Sequence, residues 1–242
     1  MKCANLDTID FGENIMKLLF DCDDTLYDCS WPFRKCVQEL LPQAKEVNLD
    51  NFYRDYRACG DLTFPLIQAG KLSVDENGEI RIKMACEMYN IEISDDIAHL
   101  FQQMYKYFQY HIQMDKELKN YLIHSQIECG IVSNGEDTHQ RRKIKSLYVT
   151  DFMREDHIFT SGQLGVDKPD PKIFELVFNQ LNDEPSNWYY VGDNYINDME
   201  CAKKAGMKTI HFNRHHQKEG VASDYVVYTE AQLIDLLKEL NN

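Results

Sequence analysis

Short apolar runs rich in β-branched or aromatic residues recur along the chain, and each ends on a polar residue before a helical pattern begins. Lys17-Leu18-Leu19-Phe20 runs into Asp21, Gly130-Ile131-Val132 into Ser133, and Trp188-Tyr189-Tyr190-Val191 into Gly192-Asp193. Thr209-Ile210-His211-Phe212 and Tyr225-Val226-Val227-Tyr228 supply two more. Strands alternating with helices predict an α/β fold with a Rossmann-like parallel sheet core, whose ligand crevice lies outside the carboxyl ends of the strands. The residues delivered to that edge are Asp, Ser and Asp.

From about residue 32 to 112 the rhythm changes to helices without strands between them. In His99 to Tyr110, for example, Leu100, Phe101, Met104, Tyr105 and Phe108 repeat at helical spacing. This predicts a helical cap domain (32–112) inserted into a core formed by 1–31 and 113–242. The cap aromatics Phe52, Tyr53, Tyr56 and Phe64 are expected mostly to pack between helices, with a minority facing a cleft. Asp75-Glu76-Asn77-Gly78 reads as a turn inside the cap.

Composition narrows the partners. A chain of 242 residues that is 43% apolar can bury one good core and a second, smaller one. With 40 acidic against 26 basic side chains, its net charge of −14 repels nucleic-acid polymers and anionic membranes. A small anionic substrate remains compatible if a metal ion or local cations reverse the field. The cysteines at 3, 22, 29, 36, 59, 86, 129 and 201 include no C-x-x-C pair, and Met16 to Phe20 is too short for a signal peptide. Reduced thiols and a cytoplasmic location follow as the expectation, with no zinc site. His211, His215 and His216 read as residues of a solvated loop after a strand.

The chemistry gathers in four segments. Asp21-Cys22-Asp23-Asp24-Thr25-Leu26-Tyr27-Asp28 places four acids in eight residues at a strand end, a costly arrangement unless a cation sits among them. An EF-hand calcium loop fails on spacing, because its glycine would be Leu26 and its bidentate glutamate Pro32. Gly192-Asp193-Asn194-Tyr195-Ile196-Asn197-Asp198 is a second acidic strand end, and two such ends meeting at one crevice suit magnesium. Ser133-Asn134-Gly135 offers a hydroxyl and backbone N–H groups at a strand-to-helix turn, a device for holding phosphate, although an ordinary helix cap looks the same. In the fourth, Asp170-Pro171 starts a helix whose buried stripe is Phe174, Val177, Phe178 and Leu181, with Lys168 just outside it as the phosphate's cationic partner.

Taken in order, these segments resemble the haloacid dehalogenase (HAD) superfamily, with its D-x-D-x-T, strand-end Ser or Thr, Lys, and G-D-x-x-x-x-D motifs. The resemblance covers roughly 15–31 and 113–230, and the insertion is similar to the helical C1-type cap. Phe52-Tyr53-Arg54-Asp55-Tyr56-Arg57 and Gln68-Ala69-Gly70-Lys71-Leu72-Ser73 look like the branch of pyrimidine 5′-nucleotidase-like phosphatases. One departure is Asp24, where many members carry glycine.

The resemblance implies a magnesium-dependent phosphatase acting on a small-molecule phosphate monoester, a nucleoside 5′-monophosphate among the candidates, through an aspartyl phosphate. Asp21 would be the nucleophile. Asp23 would be the general acid and then base, its pKa pushed up by neighbouring acids. Magnesium would sit on Asp21, the Asp23 carbonyl and Asp193. Ser133, Asn134 and Lys168 would hold the phosphate, with Asp198 and Asn197 behind them, Asp198 orienting Lys168 or a metal-bound water. A dehalogenase has no use for the second acid at Asp23. A receiver-like signalling module is about half this length and carries adjacent acids in place of D-x-D. A sugar phosphomutase or sugar-phosphate phosphatase shares the core and differs in the cap.

Overall fold

The computed structural model describes residues 15–241. The chain divides into two compact units: a helical one, Asp28–Ile112, and one assembled from the residues up to Tyr27 and from Gln113 onward. In chain order, β1 (Lys17–Phe20) precedes the helices of the first unit, α1 (Ser30–Leu40), α2 (Leu49–Gln68), α3 (Val74–Met88) and α4 (Asp95–Gln109). The second unit continues with α5 (Lys116–His124), β2 (Glu128–Ser133), α6 (Asp137–Ser146), β3 (Ile158–Thr160), α7 (Ser161–Leu164) and α8 (Lys172–Leu181). Then follow β4 (Trp188–Gly192), a π-helical turn (Tyr195–Glu200) leading into α9 (Cys201–Lys204), β5 (Lys208–Phe212), β6 (Tyr225–Val227) and α10 (Glu230–Leu240).

The strands form one parallel sheet in the order β3-β2-β1-β4-β5-β6, the Rossmann-like arrangement expected. Its strands are buried, which is why they read as continuous apolar runs rather than as alternation. Leu18, Leu19 and Phe20 of β1 are wholly inaccessible, and β1 lies between β2 and β4. The carboxyl ends of β2, β1 and β4 are therefore adjacent. The stripe of α8 is buried as anticipated at Phe174, Val177 and Phe178, against Trp188 and Tyr190 of β4. Strand β3, three residues long, was not legible as a separate run.

The helical unit has its own aromatic core. Phe33 lies at ring-centroid distances of 5.1 Å from Phe52, 4.7 Å from Tyr56 and 5.9 Å from Phe101. Phe52, Tyr53 and Tyr56 thus serve packing; the side chain of Phe64 lies outside the described residues.

Two local expectations are corrected. Asp75-Glu76-Asn77-Gly78 is no turn but the first turn of α3, because Ser73 and Glu76 form a reciprocal capping box. Gly78 is there for close approach: a Cβ would stand 2.0 Å from Gln102 Oε1 of α4. His211 belongs to β5 and is fully buried, its ring held by the Asp193 carbonyl at 2.8 Å, whereas His215 and His216 do lie beyond the strand. Among the described residues the cysteines are free, and no helix is long and apolar enough to cross a membrane; Cys3 lies outside them.

Candidate active site

Every side chain of this site belongs to the α/β unit. Asp21 follows β1, and its N–H continues the ladder by donating to the Val191 carbonyl of β4 at 2.8 Å. Asp193 follows β4, and Ser133 closes β2. Parallel pairing thereby sets an acid, an acid and a hydroxyl at neighbouring strand ends.

Lys168 enters from the loop before α8 and is buried. Its Nζ donates at 2.7 Å to each of three oxygens: Asp21 Oδ1, Asp198 Oδ1 and the Tyr190 hydroxyl. All three ammonium protons are therefore used. Burial alone would strip the proton from this amine, but Asp198 and Asp21 outweigh it and hold the lysine charged. Asn134 fixes the main chain beneath, donating to the Lys168 carbonyl at 2.8 Å and accepting from its N–H at 2.9 Å. Its amide thus positions the Lys168 main chain, a role the sequence did not suggest. Asp198 accepts from the Asn194 N–H through Oδ2, and Gly192 leaves it room: a Cβ at 192 would be 2.6 Å from the Asp198 carboxyl. Asn197 is half-buried and contributes its N–H to Asn194 Oδ1. Ser133 is buried, and its hydroxyl makes no hydrogen bond among the described residues.

Asp21, Asp193 and Asp198 each offer a carboxylate oxygen within 4.8 Å of the others. Burial pushes the Asp21 carboxyl up to about 7, Lys168 pulling against the rise while the Asp198 and Asp23 charges add to it. Burial, then Asp198, Asp21 and Asp24, likewise drive Asp193 well above the carboxylate range. One ammonium does not balance three carboxylates. The donor set is all oxygen, without sulfur or imidazole, so it fits a hard divalent cation.

Asp23 behaves in the opposite way, and here the expectation of an upward push is corrected. Its carboxylate takes both oxygens to Lys143 Nζ, at 2.6 and 2.7 Å, and also accepts from the Tyr27 hydroxyl and from Gln140 Nε2. Burial favours the neutral form, but Lys143 first, then Tyr27 and Gln140, hold the carboxyl down at about 2. The acids next to it in sequence do not decide its charge, because donors distant in sequence surround it. Gln140 and Lys143 lie three residues apart on one face of α6, the helix that follows Ser133-Asn134-Gly135. That spacing was the available signal, and it reads equally as a solvated polar helix.

Asp24 has a left-handed backbone at φ 58°, the conformation glycine takes most freely. Aspartate tolerates it better than most residues. Its carbonyl accepts from Arg214 Nε at 3.2 Å.

Known proteins agree with this picture. A family model described as haloacid dehalogenase-like hydrolase matches residues 18–212. The chain is 31% identical to the pyrimidine 5′-nucleotidase YjjG of Escherichia coli over 91% of its own length and 96% of that protein's. It is 34% identical to a glyceraldehyde 3-phosphate phosphatase of Pyrococcus furiosus, in a match spanning 46% of this chain and about half (48%) of that one. In fold it is similar to the HAD hydrolase YfnB of Bacillus subtilis bound to magnesium, with a TM-score of 0.63 at 21% identity over 93% and 99% of the two chains.

Proposed function

The chain belongs to the haloacid dehalogenase-like hydrolases, and on that premise we propose that it is a phosphatase that hydrolyses a small-molecule phosphate monoester through an aspartyl phosphate on Asp21. The observation that carries this reading is the junction of Lys168, Asp21 and Asp198 beside Asp193 at adjacent strand ends. Lys168 occupies Asp21 Oδ1, which leaves Oδ2 to attack phosphorus. The P–O bond to the leaving alcohol breaks as the Asp21–phosphorus bond forms, and the leaving oxygen takes a proton from Asp23. Water, losing a proton to Asp23, then displaces Asp21 and releases inorganic phosphate.

The four donor contacts on Asp23 favour the ionised form that activates water. For Asp23 to carry the proton needed by a leaving alkoxide, one of those donors must give way. Ser133 would hold a transferring oxygen, and Lys168 would reach another by redirecting one of the three protons it gives to Asp21, Asp198 and Tyr190. Asp21 and Asp193, with the Asp23 carbonyl, would hold magnesium, which when bound neutralises the carboxylates and the phosphate they would otherwise repel. Asp198, tied to Lys168, keeps the ammonium aimed.

Nucleoside 5′-monophosphates are the substrates we place first, because the likeness to the pyrimidine 5′-nucleotidase YjjG runs through nearly the whole of both chains. The test is a phosphatase screen over nucleotides, sugar phosphates and aryl phosphates. Turnover is expected with magnesium, and its loss in excess chelator. Full activity in chelator contradicts the mechanism, and sugar phosphates outrunning every nucleotide tenfold in kcat/KM contradicts the substrate class.

A further inference from the structure

Arginines in this acidic protein generally sit against a carboxylate: Arg34 with Asp50, Arg54 with Asp55, Arg141 with Asp137, Arg154 with Asp156, Arg214 with Glu230. Arg57 and Arg81, both in the helical unit, have none at ion-pair distance among the described residues. Arg81, on α3, lays its guanidinium 3.9 Å from the centre of the Tyr56 ring and 5.5 Å from that of Tyr105. Its Nη2 donates to the Tyr56 hydroxyl, while its buried Nε has no partner among the described residues. Arg57, on α2, donates to the Tyr53 hydroxyl at 3.2 Å and is exposed. The two cations are close enough that Arg57 opposes the charge on Arg81.

This pose is built into the sequence. Tyr56 and Gly60 are one turn apart on α2, and a Cβ at Gly60 would stand 2.7 Å from Arg81 Cδ, so glycine there lets the arginine lie along the helix. Aromatic faces offset part of the cost of desolvating a guanidinium. They leave the Arg81 Nε–H without a partner among the described residues. Two mutually repelling guanidiniums that face no carboxylate among the described residues, in a chain of net charge −14, suit an anion from outside.

We propose that Arg57 and Arg81, framed by Tyr53, Tyr56 and Tyr105, form a binding site for an oxyanion, the phosphate or carboxylate group of a small molecule. The planar guanidinium edges bind such a group through paired charge-assisted N–H···O bonds. The anion is either free in solution or carried by the ester being hydrolysed.

The direct test titrates the full-length protein with inorganic phosphate in excess chelator, by calorimetry. Without a cation the three carboxylates around Lys168 disfavour phosphate, so binding reports on the arginines. One saturable site is expected, weakened about tenfold or more by Arg57→Met and by Arg81→Met, the scale of one lost hydrogen bond to a charged group. Arg57→Met alters an exposed side chain, so its result stands if Arg81→Met fails to fold. Absence of saturable binding, or binding indifferent to both changes, overturns the proposal.

A kinetic arm, which rests on the phosphatase reading, identifies the source of the anion. If Arg57→Met raises KM for an ester bearing a second oxyanion about tenfold relative to an aryl phosphate, the substrate carries the anion. If that ratio is unchanged while phosphate binding is lost, the site takes a free anion. A wild-type protein inactive on every ester sinks the phosphatase reading and leaves the calorimetric answer intact.

Discussion

Asp21 and Asp23 are separated by one residue, yet their surroundings are opposite in kind. Asp21 shares a single ammonium with Asp198 and lies within reach of Asp193, so its region holds more negative charge than it can balance. Asp23 is held by Lys143, Tyr27 and Gln140, so its region is saturated with donors. The first carboxyl is pushed up to about 7 and the second held down at about 2. A polar cluster in sequence is therefore not one electrostatic object. The strand end divides it, leaving one side with more negative charge than its single ammonium balances and giving the other a cation the fold supplies.

The hardest test of that division replaces each carboxylate by its amide. Asp21→Asn removes the nucleophile, and turnover is expected to fall on the order of 10⁴–10⁶-fold, the scale seen when an enzyme nucleophile is deleted. Asp23→Asn keeps the nucleophile and loses the acid and base, about 10²–10⁴-fold. The smaller loss should depend on leaving group, because an alkyl phosphate needs its departing oxygen protonated and an aryl phosphate needs less help. With an aryl phosphate, rapid-quench trapping should find the aspartyl phosphate accumulating in Asp23→Asn and missing in Asp21→Asn. Phosphoenzyme in Asp21→Asn, or wild-type turnover of alkyl esters by Asp23→Asn, breaks the assignment.

A milder change acts on the cation that belongs to the fold. Burial raises the Asp23 carboxyl and Lys143 is the largest influence lowering it, so Lys143→Met must let the pKa rise from about 2. A carboxylate serving as base loses activity as pH falls through its pKa, so where hydrolysis of the aspartyl phosphate limits turnover the acid limb of the kcat profile should move to higher pH. At neutral pH about a tenfold fall is expected, a fraction of what deleting the base costs. Lys143→Arg should restore part of both. An acid limb that stays in place while kcat falls would make Lys143 a packing residue only.

How much of this was legible follows from distance along the chain. Asp21, Ser133 and Asp193 could be placed because a buried parallel strand announces itself as an apolar run, and its end is marked by the first polar residue. Lys168 could be singled out by the Pro-flanked start of α8. Lys143 and Gln140 could not, since they approach Asp23 across 120 and 117 residues from a helix, α6, that is polar nearly throughout. Tyr190 was hidden differently: its ring belongs to the apolar run of β4, and only the fold reveals that its hydroxyl receives Lys168 and donates to the Val132 carbonyl. Nothing in the order of residues tells which way such a ring points. The Ser73–Glu76 capping box, by contrast, was written in the sequence and outweighed by the turn-like Asn77-Gly78.

Asp24 gives the finest test, because it sits next to both regions and belongs to neither. Its left-handed φ of 58° costs an L-residue about 1–2 kcal/mol, less for aspartate, and glycine escapes that cost. Its charge also works against Asp193, so Asp24→Gly removes one of the repulsions that raise that carboxyl. Set against these gains are the contact with His215 at 3.3 Å and the greater freedom glycine has in the unfolded chain, roughly 0.5–1 kcal/mol. The terms nearly cancel, so a shift in Tm of no more than a few degrees is expected, on the order of 1 kcal/mol. Asp24 is also a negative charge close to Asp193, so removing it weakens the attraction for a cation held there: the magnesium concentration for half-maximal activity should rise, while kcat at saturating magnesium changes by less than about twofold, under 0.5 kcal/mol. If Asp24→Gly instead abolishes turnover at saturating magnesium, this third aspartate is part of the reacting centre and the division into two regions fails.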